Sequence, residues 1–177
     1  MSSLQSLSIL LRARSHDEPV LYVASRASLP ARPAMWRQLR DEAGWCILSS
    51  WIDEAGVGET DDLQELWQRI ETEIALCDGL ILYVEEEDFP LKGALVEVGM
   101  ALARDKPVAI VLGRDLKLEA GTLRPLGSWA WHPLCMLHHK LDAARDWLRQ
   151  VHKKDQAARW QVMRDPDARP KPAHPIS

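Results

Sequence analysis

Phenylalanine occurs once and tyrosine twice in the 177 residues, while tryptophan occurs eight times. Tryptophan must therefore act as core filler, as interface, or as a flat surface for a ring to stack on. Cysteine is scarce too. Cys46, Cys77 and Cys135 are far apart and odd in number, which excludes a visible disulfide framework or zinc spacing and leaves buried thiols in a reducing cytoplasm. No stretch approaches the roughly 18 apolar residues of a membrane helix. No basic segment precedes the apolar residues of Met1 to Arg14, so the start does not read as a signal peptide. Excess positive charge is missing as well: the net charge of −4 argues against a nucleic acid polymer or an anionic membrane as partner. His138 and His139 lack companions at metal-binding spacing. Neither common glycine-rich phosphate loop is present, and no cofactor is expected.

What is there alternates between strand and helix signals. Val20 to Ser25 is a short run of β formers bounded by Pro19 and Arg26, the first expected strand. Pro30 and Pro33 open a helix to about Glu42, and Gly44 stops it. Trp45 to Trp51 is the second expected strand. Thr60 is expected to cap the next helix, whose stripe is Leu63, Leu66, Trp67, Ile70 and Ile74. Leu80 to Val84 reads as a third strand, Leu91 to Arg104 as a helix and Val108 to Leu112 as a fourth strand. Ser128 to His132 is a short fifth strand, and Leu137 to Lys153 a closing helix. The leucines at 4, 7, 10 and 11 suit a short helix at the start. From Asp155 the chain turns polar, with four prolines after Asp165, and reads as a disordered tail. The expected plan is a 1–19 extension, one α/β domain over 20–154 and a 155–177 tail. The domain is a three-layer sandwich, flavodoxin-like or Rossmann-like, on a five-stranded, mostly parallel sheet. Ligands of such sheets bind beyond the carboxyl ends of the strands.

The most informative segment is 93–103, GALVEVGMALA, which is apolar nearly all round with Glu97 as its only charge. A carboxylate buried without partners costs several kcal/mol or shifts its pKa upward, so Glu97 must be offset by a partner or must face a cavity. Gly93 and Ala101, one turn to either side, leave room on its face. Two readings stay open on spacing alone: a structural glutamate bonded to backbone or arginine, and a nucleophile or sugar-binding carboxylate.

Glu97-Val98-Gly99-Met100-Ala101 resembles the Glu-Leu-Gly-x-Ala motif of the nucleoside 2-deoxyribosyltransferase family and its nucleotide-hydrolysing relatives. Leu21-Tyr22-Val23-Ala24 resembles that family's first strand, Ile74 to Asp78 the approach to its third, and Lys106-Pro107-Val108 the approach to its fourth. The resemblance spans about Val20 to Leu112. It implies cleavage of a sugar–base N-glycosidic bond, with Glu97 attacking the anomeric carbon and a second base or water taking the sugar. It also implies a nucleoside or nucleotide as ligand and assembly into a homo-oligomer. Two family carboxylates have no counterpart: Leu91 and Ile70 stand at their positions, and Asp88, Glu87 and Glu71 are the candidate substitutes.

In the resulting assignment Glu97 is the nucleophile, Asp88 the provisional acid and Tyr22 the partner that orients Glu97. Ser25 and Arg26 follow the first strand, where an arginine can hold a 5′-phosphate or carboxylate by a two-pronged contact. Trp51 is a candidate to stack on a base, Asp53 to bind a hydroxyl, and Lys92 with Gly93 to meet an anionic ligand. Each has a plainer alternative: core packing for Tyr22 and Trp51, solvated loop or helix start for the others. At the level of the whole chain, the enzyme reading competes with a module that kept the pocket and lost the chemistry, and with an interaction protein that uses its tryptophans at an interface.

Overall fold

The computed structural model describes residues 3–54 and 62–164. Its centre is a parallel sheet of four strands in the order β1-β2-β3-β4: β1 Leu21–Ala24, β2 Gly79–Val84, β3 Val108–Leu112 and β4 Cys135–His138. Tyr22 lies opposite Leu80, and Leu80 opposite Val108, so the strand starts are in step. Helix α1 (Ser3–His16) precedes β1; α2 (Ala31–Asp41), the single-turn α3 (Trp51–Glu54) and α4 (Leu63–Leu76) lie between β1 and β2, α5 (Gly93–Leu102) lies between β2 and β3, and α6 (Leu141–Arg164) follows β4. β1, β3 and nearly all of β2 are buried, as expected of central parallel strands covered on both faces.

The expected five strands are four. Trp45 to Trp51 meets the edge of β1 through a single bridge, Leu21 to Ile47. Leu21 N–H donates to the Cys46 carbonyl and Leu48 N–H to that of Leu21, which begins a parallel ladder. Side chains then take over the next rung. Ser49 Oγ accepts from Val23 N–H at 2.7 Å and Trp51 Nε1 donates to the Val23 carbonyl at 2.8 Å. The edge groups of β1 are satisfied without further strand, and the chain is free to turn into α3. The expected strand at Ser128 to His132 is a 3-10 turn (Ser128–Trp131), and β4 starts beyond it. Pro133 has no N–H to offer a ladder, so pairing begins where Val108 N–H donates to the Leu134 carbonyl.

Other boundaries shift less. Asp62 caps α4, its side chain accepting from Glu65 N–H, while the expected cap Thr60 lies outside the described residues. Ile9 and Ala13 place α1 in the core, so residues before Val20 contribute to packing. Helix α6 continues to Arg164, past the expected boundary at 154. The three cysteines are free thiols. Among the described residues no helix is long and apolar enough to cross a membrane.

From β1 the chain goes outward to the 45–49 segment, then returns to β2 on β1's other side. This reversal splays the loops after β1 and β2 apart at their carboxyl ends, the usual place for a ligand crevice.

Candidate active site

Helix α5 begins after β2, a 3-10 turn (Glu86–Asp88) and Pro90. Glu97 lies one turn into α5, where it meets Tyr22 of β1. The Tyr22 hydroxyl donates to Glu97 Oε1 at 3.0 Å, and the described residues make no hydrogen bond to Oε2. Among the described residues no arginine or backbone amide holds this carboxyl group. Glu97 instead lines a cavity of about 520 Å³ at the carboxyl edge of the sheet. Burial pushes its carboxyl pKa up to about 8; the Tyr22 hydrogen bond opposes the rise and the buried Glu73 charge adds to it. Tyr22 is fully buried, and burial together with the Glu97 charge holds its phenol protonated, well above the ordinary value of 10.0.

Most of the residues selected from sequence come together here. Ser25, Arg26, Trp51, Asp88, Lys92 and Gly93 line the same cavity as Glu97, and Tyr22 stands behind it. Ser25 Oγ accepts from Trp36 Nε1 at 3.0 Å, and Arg26 reaches Ser28 Oγ and the Glu87 carbonyl. Lys92 has a φ of 39°, a left-handed conformation uncommon for a side-chain-bearing residue, and has no ion-pair partner among the described residues. Gly93 faces Trp67, with an added Cβ 3.8 Å from its ring. Asp53 is the exception: α3 turns its carboxylate away to a two-pronged pair with Arg40, at 2.8 and 2.9 Å.

Asp88 is only 7% exposed. Its Oδ2 accepts from Arg32 at 3.2 Å and from Glu85 N–H at 2.7 Å, while Oδ1 is buried with no partner among the described residues. Arg32 also pairs with Glu85 at 2.6 Å and lies 4.5 Å over the Tyr83 ring. The Arg32 hydrogen bond, then that of Tyr83, holds the Glu85 carboxyl below its ordinary value.

Sequence reasoning missed Arg32, Glu73 and the exposure of Trp67 to the cavity. Arg32 sits in the first turn of a proline-opened helix, where a cation has no local reason to be buried; no pattern marks it. Glu73 lies one turn after Ile70 on the same face of α4, a spacing that could have been read as a displaced carboxylate. Both of its oxygens accept from Ser50 N–H at 3.1 Å, and it does not line the cavity. Burial raises its pKa. Trp67 was part of an apolar stripe, and only the cavity distinguishes it from core. Among the described residues no group of three or more His, Cys, Asp or Glu is placed to hold a metal ion.

No family model matches this sequence, and no curated protein matches it. Among solved structures it is similar to a CMP N-glycosidase of Clostridium botulinum, BcmB, at 15% identity over 74% of this chain and 96% of that one, with a TM-score of 0.42.

Proposed function

We propose that this protein cleaves the N-glycosidic bond of a nucleoside or nucleotide, with Glu97 as nucleophile. One observation carries the reading. The lone carboxyl group of an otherwise apolar helix lies against an open cavity at the carboxyl edge of the sheet, held among the described residues by a single phenol. A structural glutamate would be closed in by cations or amides. In this scheme a Glu97 oxygen attacks the anomeric carbon as the bond to the base nitrogen breaks, and water or a second base then takes the sugar from the glutamyl ester. Tyr22 orients Glu97. The motifs around Glu97, Tyr22 and Asp78 support the same assignment by their resemblance to nucleoside 2-deoxyribosyltransferases.

Ser25 and Arg26 suit a phosphate or hydroxyl, as does Lys92. Trp51 and Trp67 suit the base. Asp88, paired with Arg32, suits acceptance of a ligand hydroxyl at its free Oδ1 better than proton donation. A second reading, a nucleotide-binding module without turnover, is favoured by Ile70 and Leu91, which put hydrocarbon on the cavity wall where the resembled family has carboxylates.

Incubation with deoxynucleosides, ribonucleosides and their monophosphates, followed by chromatography for free base, tests the proposal. Base release that disappears in Glu97→Gln is the expected result. Thermal stabilisation by a nucleotide with no release from any substrate would replace catalysis with binding.

A further inference from the structure

A neutral purine or pyrimidine leaves a sugar poorly unless a proton reaches it as the bond breaks, and a positioned acid contributes about 10²- to 10⁴-fold. Among the described residues, each carboxylate on the cavity wall other than Glu97 is held by an arginine. At the two positions where the resembled family has helper carboxylates stand Ile70 and Leu91, both buried and both lining the cavity. Asp88 is held by the Arg32 guanidinium and a backbone amide. Glu54, the remaining carboxylate on the wall, is held by Arg69, with one contact at 2.7 Å. Glu73 lies behind Tyr22, off the cavity, and accepts from Ser50. Glu97 itself is occupied as the nucleophile.

The geometry points to an N-glycoside whose base is already a cation, a nucleoside or nucleotide with a quaternised ring nitrogen, as the substrate class of this site. The inference rests on the N-glycosidase reading and narrows it. With such a substrate the acid is unnecessary. The anomeric carbon–nitrogen bond breaks with its electron pair passing to the ring nitrogen, which leaves as a neutral base. A Glu97 carboxylate oxygen forms the new bond to the anomeric carbon. Water then attacks that carbon, releases the carboxylate and leaves one proton in solution.

The described lining also suits a cationic ring. Trp67 lines the cavity beside Leu63, Leu66 and Ile70, and an indole attracts a cation brought over its ring. Glu97 is buried and, among the described residues, is held only by a phenol. Its carboxyl pKa, raised to about 8 by burial, falls when a positive charge is brought beside it, so binding delivers the ionised nucleophile and releases its proton to solvent. Lys92 and Arg26 leave a place for an anionic 5′-phosphate on the same ligand.

The test compares pairs that differ in the charge of the base. N7-methylguanosine is set against guanosine, and nicotinamide riboside against its neutral 1,4-dihydro form. Free base is measured with the unaltered full chain and divided by the release in buffer alone, which removes the greater intrinsic lability of the cations. The expected result is an enhancement about 100-fold or more greater for each cation than for its neutral partner, lost in Glu97→Gln. Equal enhancement of charged and neutral members overturns the substrate class and leaves the N-glycosidase reading standing. No release above buffer from these four compounds, nor from neutral deoxynucleosides and nucleotides, overturns both.

Discussion

Among the described residues Glu97 has one hydrogen bond, from a buried phenol, and it is 9% exposed. Its consequences for folding can be measured without a substrate. In the folded chain it keeps its proton to about pH 8, against an ordinary value of 4.5. Between those values the unfolded chain binds fewer protons than the folded one, so this group's contribution to stability falls as pH rises through the window. Glu73, also raised by burial, acts in the same direction. Glu97→Gln keeps the shape and should flatten the decline. Its melting temperature relative to the unaltered protein is expected to rise steadily from pH 5 to pH 8, and a constant difference across that range would refute the buried, protonated state. Tyr22→Phe removes the one donor. A hydrogen bond to a charged group is worth about 1.5–3 kcal/mol, so base release should fall roughly 10- to 100-fold. The inflection at which kcat/KM rises with pH should also move upward, because the hydrogen bond that favours ionisation of the nucleophile is gone. The presence of a buried carboxyl group was legible from GALVEVGMALA alone; its partner was legible only by resemblance, because Tyr22 is 75 residues away along the chain.

At the level of elements, the loop between β2 and α5 is shaped by Arg32 of α2, which pairs with both Glu85 and Asp88. Removing one partner of a buried pair leaves an uncompensated charge and costs about 3–5 kcal/mol. Arg32→Met should therefore lower the urea midpoint substantially, and it should also free the loop beside the cavity. Arg32→Met combined with Asp88→Leu should recover much of the loss. A second pair lies where α6 meets the sheet. A Cβ on Gly79 would stand 2.7 Å from Leu148 Cδ2 and 3.3 Å from the Pro107 carbonyl oxygen. Gly79→Ala is thus expected to destabilise by overpacking, about 1–3 kcal/mol, and Leu148→Ala by its cavity, about 2–5 kcal/mol. The double variant should lose less than the sum, a coupling read from a denaturation cycle. Helix and strand periods made α4, α5, β2 and β3 readable in advance. The 45–51 segment was not, because Ser49 and Trp51 replace backbone pairing with side-chain bonds that leave no periodic trace.

For the molecule as a whole, the resemblance implies a homo-oligomer. Sedimentation velocity should reveal a species heavier than the 20.1 kDa chain, and a monomer at micromolar concentration would remove that part of the proposal. The alternation of strand and helix was carried by local pattern: β-forming runs ended by proline and glycine, and apolar stripes at helical spacing. The location of a ligand crevice followed from that alternation, since parallel strands put their carboxyl ends on one edge. These features depend on residues a few positions apart, so the sequence by itself determined them. What shares that edge was decided by tertiary structure. Asp53 and Asp88 read alike as loop carboxylates, yet Arg40 draws one away from the cavity while Arg32 fixes the other on its wall. Ile70 and Leu91 stand where the resembled family has carboxylates, and packing puts both of them on the cavity wall. Such pairings join distant parts of the chain, and which cation reaches which carboxylate is settled by packing, a choice that no local spacing encodes.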